Sequence, residues 1–69
     1  MNSLIDPALT ILRRREVESL TGLSRSTIYA RIKAGTFPPP VALGPRSVGW
    51  RLADIKAFLL APADYRVSG

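Results

Sequence analysis

The chain contains no cysteine and no histidine. Without cysteine there can be no disulfide framework and no thiolate metal site. Without histidine the commonest metal ligand and the commonest general base are missing too. Carboxylates are few, five in all, and neither a glycine-rich phosphate loop nor a basis for an activated serine is present. The expectation is therefore a protein that is not an enzyme and takes no metal and no cofactor. No apolar run approaches the roughly 20 residues that a membrane span requires. The first residues include Asp6 and Pro7 and lack a basic leader, unlike a secretory signal. A cytoplasmic protein with no membrane partner is expected.

A further absence is local. From Ser19 to Ala53 there is no acidic residue, while Arg25, Arg31, Lys33, Arg46 and Arg51 all fall in that stretch. The whole chain has ten Lys and Arg against five Asp and Glu, a net charge of +5. A segment of one sign favours an anionic partner. With 69 residues the chain can hold one domain, and a domain of that size buries only about 60% of its unfolded surface. Its core must be thin.

Residues 1–10 mix polar and apolar types without a period, which predicts a flexible arm, with Ile11 and Leu12 anchoring its end. From Arg14 to Thr21, Val17 and Leu20 are three apart, acids lie near the amino end and Gly22 follows, so a short helix is expected. A second helix begins after Ser24, which can cap its first amides, and leaves through Gly35. Its inward stripe, Ile28 and Ile32, is narrow, so much of this helix must face something polar. The prolines at 38–40 end it. Val41 and Leu43, then Val48 and Trp50, alternate on either side of Gly44-Pro45-Arg46-Ser47. That pattern predicts a hairpin over 40–51 with Arg46 at its tip and Trp50 in the core. A last helix over 52–61 is marked by Leu52, Ile55, Phe58 and Leu59 on one face and Pro62 beyond it.

The expected class is mostly α with a small β-hairpin, a winged helix-turn-helix of three short helices and a two-stranded wing. The helix-turn-helix unit spans 14–34. Gly22 permits the tight turn, Leu23 plugs the junction, and the second helix carries the hydrogen-bonding and cationic side chains. A major groove admits one helix, and its edges distinguish base pairs.

The run LTGLSRSTIYARIKAGTFPPPVALGPRSVGWRLADIKAFL resembles the AlpA family of prophage regulators and excisionase-like factors, within the MerR-like winged helix-turn-helix group. The resemblance covers roughly Leu12 to Leu60. It implies that the helix from Ser24 enters the major groove, that residues 41–51 form a wing, and that the protein serves to activate an integrase or to excise an integrated element. Two departures stand out. MerR-like regulators continue into a long dimerisation helix and often an effector domain, whereas nine residues follow Leu60 here, so no small-molecule effector is expected. Glu18 stands where such units often carry a small residue.

Within this frame Arg25 can be bidentate to a guanine edge, and Ser24, Ser26 and Thr27 can hold phosphates or bases. Tyr29 can reach a phosphate or a thymine methyl, or else bury its ring, and Thr27 can instead face the first helix. Lys33 and Arg31 suit phosphate, Arg46 a minor groove or a phosphate, and Arg51 can assist from the strand. The Arg13-Arg14-Arg15 cluster opposes the helix dipole and hints at an anion. The expected partner is double-stranded DNA. The expected role is a sequence-specific, nucleoid-associated bacterial protein of a mobile element, a transcriptional regulator or an excision factor. A single short helix reads few base pairs, so copies are expected to associate head-to-tail on DNA and to bend it, with an integrase or recombinase as a further partner. The competing reading is an adaptor that uses the same surfaces to bind an integrase or a polymerase subunit.

Overall fold

The computed structural model describes residues 9–67, so the arm expected over 1–10 lies outside the described residues except for Leu9 and Thr10. The elements are β1 (Ile11–Leu12), α1 (Arg14–Thr21), α2 (Arg25–Ala34), β2 (Val41–Gly44), β3 (Ser47–Arg51) and α3 (Leu52–Leu60).

Local chemistry explains each boundary of the helical pair. At the start of α1 the Arg13 N–H donates to Glu16 Oε1 at 2.8 Å, which puts a carboxylate at the positive end of the helix. Arg14 pairs with Glu18 one turn later, so the Glu18 side chain is held on α1 itself. The helix ends at Gly22, whose φ of 73° is a left-handed conformation that other residues adopt only with strain. Thr21 completes the turn, its hydroxyl donating to the Val17 carbonyl at 2.7 Å and accepting the Leu23 N–H at 3.2 Å. Ser24 Oγ then accepts the Thr27 N–H at 3.2 Å to open α2.

The hairpin is present, but the sheet has three strands in the order β1-β3-β2, all antiparallel. The extra strand is the Ile11-Leu12 anchor, in which Ile11 lies opposite Arg51 and Leu12 opposite Trp50. Two residues carry no periodicity, so their pairing is set by the neighbouring strand. In the hairpin Ala42 faces Val48 and Gly44 faces Ser47, which leaves Leu43 as the extra residue of a bulge. Pro45 holds φ negative, so the primed turns that match strand twist are closed to this loop. The bulge takes up the difference.

Leu12, Val17, Ile28, Phe37, Trp50, Ile55 and Phe58 form the core, with Leu23, Ile32, Leu52 and Tyr65 packed against it. Every helix contributes, as do β1, β3 and the connection after α2. Trp50 is 1% exposed, and its indole N–H donates to the Pro38 carbonyl at 3.0 Å, which satisfies a donor that would otherwise be buried unpaired. Chain beyond α3 belongs to the domain as well: the Tyr65 ring meets Phe58 edge-on at 5.7 Å, and the Val67 N–H donates to the Gly35 carbonyl at 2.9 Å. Residues 62–67 therefore brace the end of α2. The whole is a winged helix-turn-helix.

Candidate nucleic-acid interface

The α2 helix is held from one side, by Ile28 in the core and Ile32 against it. Ser26, Tyr29, Ala30 and Lys33, spaced i, i+3, i+4 and i+7, share another face, and all four are exposed. Arg25 stands four residues before Tyr29, and its guanidinium lies 5.9 Å from the ring centroid. Tyr29 is 40% exposed, and its ring meets Trp50 edge-on at 6.4 Å. The ring is anchored on the core at one edge and open to solvent at the other. Ala30 was not singled out in the sequence, although its spacing from Ser26 marks it. Its small side chain lets another surface approach the helix closely.

The remaining expected residues divide. Ser24 Oγ donates to Thr27 Oγ1 at 3.0 Å, so the two hydroxyls are tied together at the start of α2. Both residues are exposed, and Thr27 does not bury itself against α1. Arg31 points elsewhere: its Nη2 donates to the Pro62 carbonyl at 2.8 Å and the Thr36 carbonyl at 3.3 Å, and its guanidinium lies 5.1 Å from the Phe58 ring centroid. These contacts tie Arg31 within the chain. Arg46 is exposed at the hairpin tip. Arg51 sits at the opposite end of β3, and strand alternation puts it on the sheet face away from Val48 and Trp50. It is not gathered with the others.

Tertiary structure gathers a different set. The start of α1 lies beside the wing tip, and Arg13, Arg14, Arg15, Tyr29, Arg46 and Val48 line an open groove of about 310 Å³. Arg14 and Arg15 also line a second groove, about 600 Å³, that runs along α1 past Ser19 and Gly22 to Ser24. A connected surface therefore leads from the wing tip to the start of α2. Among the described residues the sole ion pair is Arg14 with Glu18, so Arg13, Arg15, Arg25, Lys33 and Arg46 have no carboxylate partner. Five uncompensated cations on adjoining surfaces create a positive field over them. Chemically the α2 face offers guanidinium, hydroxyl, phenol and methyl groups that can meet base edges, flanked by cations suited to phosphate. The arginine triplet was visible in the sequence, but its nearness to Arg46 was not.

The family model described as prophage CP4-57 regulatory protein (AlpA) matches residues 10–59. A protein of Enterobacteria phage P4, described as uncharacterized protein ORF88, is 50% identical over 48 residues, which cover 70% of this chain and 54% of that protein. The chain thus spans about half the length of the curated relative it matches. The matched region runs from β1 through nearly all of α3 and holds both the exposed face of α2 and the wing. This chain belongs to the prophage CP4-57 regulatory protein (AlpA) family, a family of phage regulatory proteins.

Proposed function

We propose that this domain binds double-stranded DNA at specific sequences as a regulator of a mobile element, with α2 in the major groove and the wing on the flanking backbone. The observation that carries this reading is the exposed face of α2. Ser26, Tyr29, Ala30 and Lys33 are lined up beside Arg25, without a carboxylate, on a helix whose other side is fixed in the core. Arg25 and Ser26 serve the base edges, while Lys33 and Arg46 serve phosphates. Ser24 and Thr27 organise the helix start, and Arg31 holds the fold. The protein supplies no catalysis; any strand chemistry belongs to a recombinase. It works on DNA in the bacterial cytoplasm.

Activating transcription and directing excision both need site-specific binding. Selectivity argues for several copies bound side by side, because each correct base pair contributes about 1–3 kcal/mol and one helix reads few pairs. Head-to-tail neighbours that follow the groove would also bend the duplex. Footprinting across the element's promoter and attachment region tests the reading. Protection of a discrete site, with successive cooperative shifts on titration, is the expected result. Equal affinity for every duplex, or binding to an integrase or polymerase subunit without DNA binding, would replace it with the adaptor reading.

A further inference from the structure

We propose that the groove between the start of α1 and the wing tip is a phosphate clamp, in which Arg13 and Arg15 on one lip and Arg46 on the other close on the backbone of one DNA strand. This rests on the DNA-binding reading above and adds a contact that lies off the recognition helix.

The groove brings together cations from segments far apart in the sequence. Arg13 and Arg15 have no carboxylate partner among the described residues and neither does Arg46, whereas Arg14 in the same groove is neutralised by Glu18. Like charges gathered in one groove repel, and an anion between them turns that repulsion into attraction. Local preference does not account for Arg13 and Arg15 either, because the start of a helix favours acids and disfavours cations, whereas Arg14 is held by its pair with Glu18. An anion bound in the groove would offset that cost.

The rest of the lining narrows the class of ligand. Tyr29 and Val48 border the groove and stay 40% and 39% exposed, so apolar surface alternates with guanidinium. A nucleic-acid backbone has the matching alternation, phosphate then deoxyribose. Arginine forks suit phosphate oxygens bidentately. Because Tyr29 belongs both to this groove and to the reading face of α2, a strand clamped here also sets the register of α2 against the bases.

The test measures binding of a fluorescein-labelled random-sequence duplex by anisotropy as salt is raised. It compares wild type with Arg15→Gln, Arg46→Gln, the double variant, and Arg66→Gln as a control for lost charge elsewhere. Each clamp variant is expected to weaken binding about tenfold at low salt and to reduce the slope of log affinity against log salt by about one. The double variant should lose less than the product of the two single effects, since both arginines hold one strand. Arg13→Gln stands in on the same lip if circular dichroism shows Arg15→Gln to be unfolded. If Arg15→Gln and Arg46→Gln change binding no more than Arg66→Gln, while Arg25→Ala and Lys33→Ala still weaken it, the clamp is overturned and the DNA reading stands. If wild type holds no duplex but captures a poly-glutamate peptide through Arg15 and Arg46, the groove takes an acidic protein segment and both readings are overturned.

Discussion

The Arg31 guanidinium, on α2, donates to the carbonyl oxygen of Pro62 at 2.8 Å, 31 residues further along the chain. The same group lies over the Phe58 ring at 5.1 Å. One side chain thereby joins α2, α3 and the segment that follows, in a domain whose core has seven buried hydrophobic residues among those described.

Replacing Arg31 is therefore expected to act on stability before it acts on binding. A hydrogen bond from a charged group contributes about 1.5–3 kcal/mol when buried, and this one is partly solvated, so Arg31→Ala should destabilise the fold by about 1–2 kcal/mol. Urea unfolding followed by Trp50 fluorescence measures it. Arg31→Lys should recover little, because an ammonium lacks the planar fork. An unchanged midpoint together with weakened DNA binding would return Arg31 to the interface.

Gly49 is buried where two strands approach, and a Cβ built there would overlap Ile11 Cγ2 and lie 3.0 Å from the Leu12 carbonyl oxygen and 3.1 Å from Leu43 Cδ1. Gly49→Ala should cost about 1–3 kcal/mol through overpacking. Since Ile11 supplies the worst contact, Gly49→Ala combined with Ile11→Ala should be less destabilised than the two single effects added together. Thermal unfolding of the four proteins in this cycle decides the matter.

Arg25 and Ala30 should affect binding in separable ways. Arg25→Ala is expected to lower specific affinity by about 1–3 kcal/mol and to relax base preference. Ala30→Leu should leave the helix intact, as leucine is nearly as good a helix former as alanine. It should still obstruct close approach to the groove and weaken binding tenfold or more. Affinities on cognate and scrambled duplexes report both effects, and an Ala30→Leu protein that binds normally would move the interface off this face.

Five cations without carboxylate partners among the described residues, Arg13, Arg15, Arg25, Lys33 and Arg46, border the α2 face and the wing groove. If they neutralise about five phosphates, log affinity should fall against log salt with a slope near −4 to −5. Titrations between low and physiological salt give the slope. A value near zero with retained affinity would sink the electrostatic part of the argument.

Much of the fold was legible because its signals are local. Gly22 and Gly35 take left-handed exits, and Ser24 caps its own helix; each follows from the conformational preference of one residue and the amides next to it. Period-two alternation around Gly44 to Ser47 was readable for the same reason, although the bulge at Leu43 was not, since it depends on how the two strands twist together. Trp50 reads as core because it shares a strand face with Val48 and the expected fold brings Phe58 near, and it is buried. The third strand escaped notice because two residues, Ile11 and Leu12, become a strand only when β3 offers its edge.

For the candidate interface the division runs along the same line. Sequence alone determined the second helix, its cap, its thin apolar stripe and the excess of cations around it, because helical periodicity and charge are properties of neighbouring residues. Only the tertiary structure decided which cations face outward together. It turned Arg31 inward onto Pro62, left Arg51 at the far end of its strand, and set Arg13 and Arg15 beside Arg46. Those placements depend on contacts between segments distant in the chain, and a side chain's charge does not reveal whether its partner will be a carbonyl of its own fold or a phosphate.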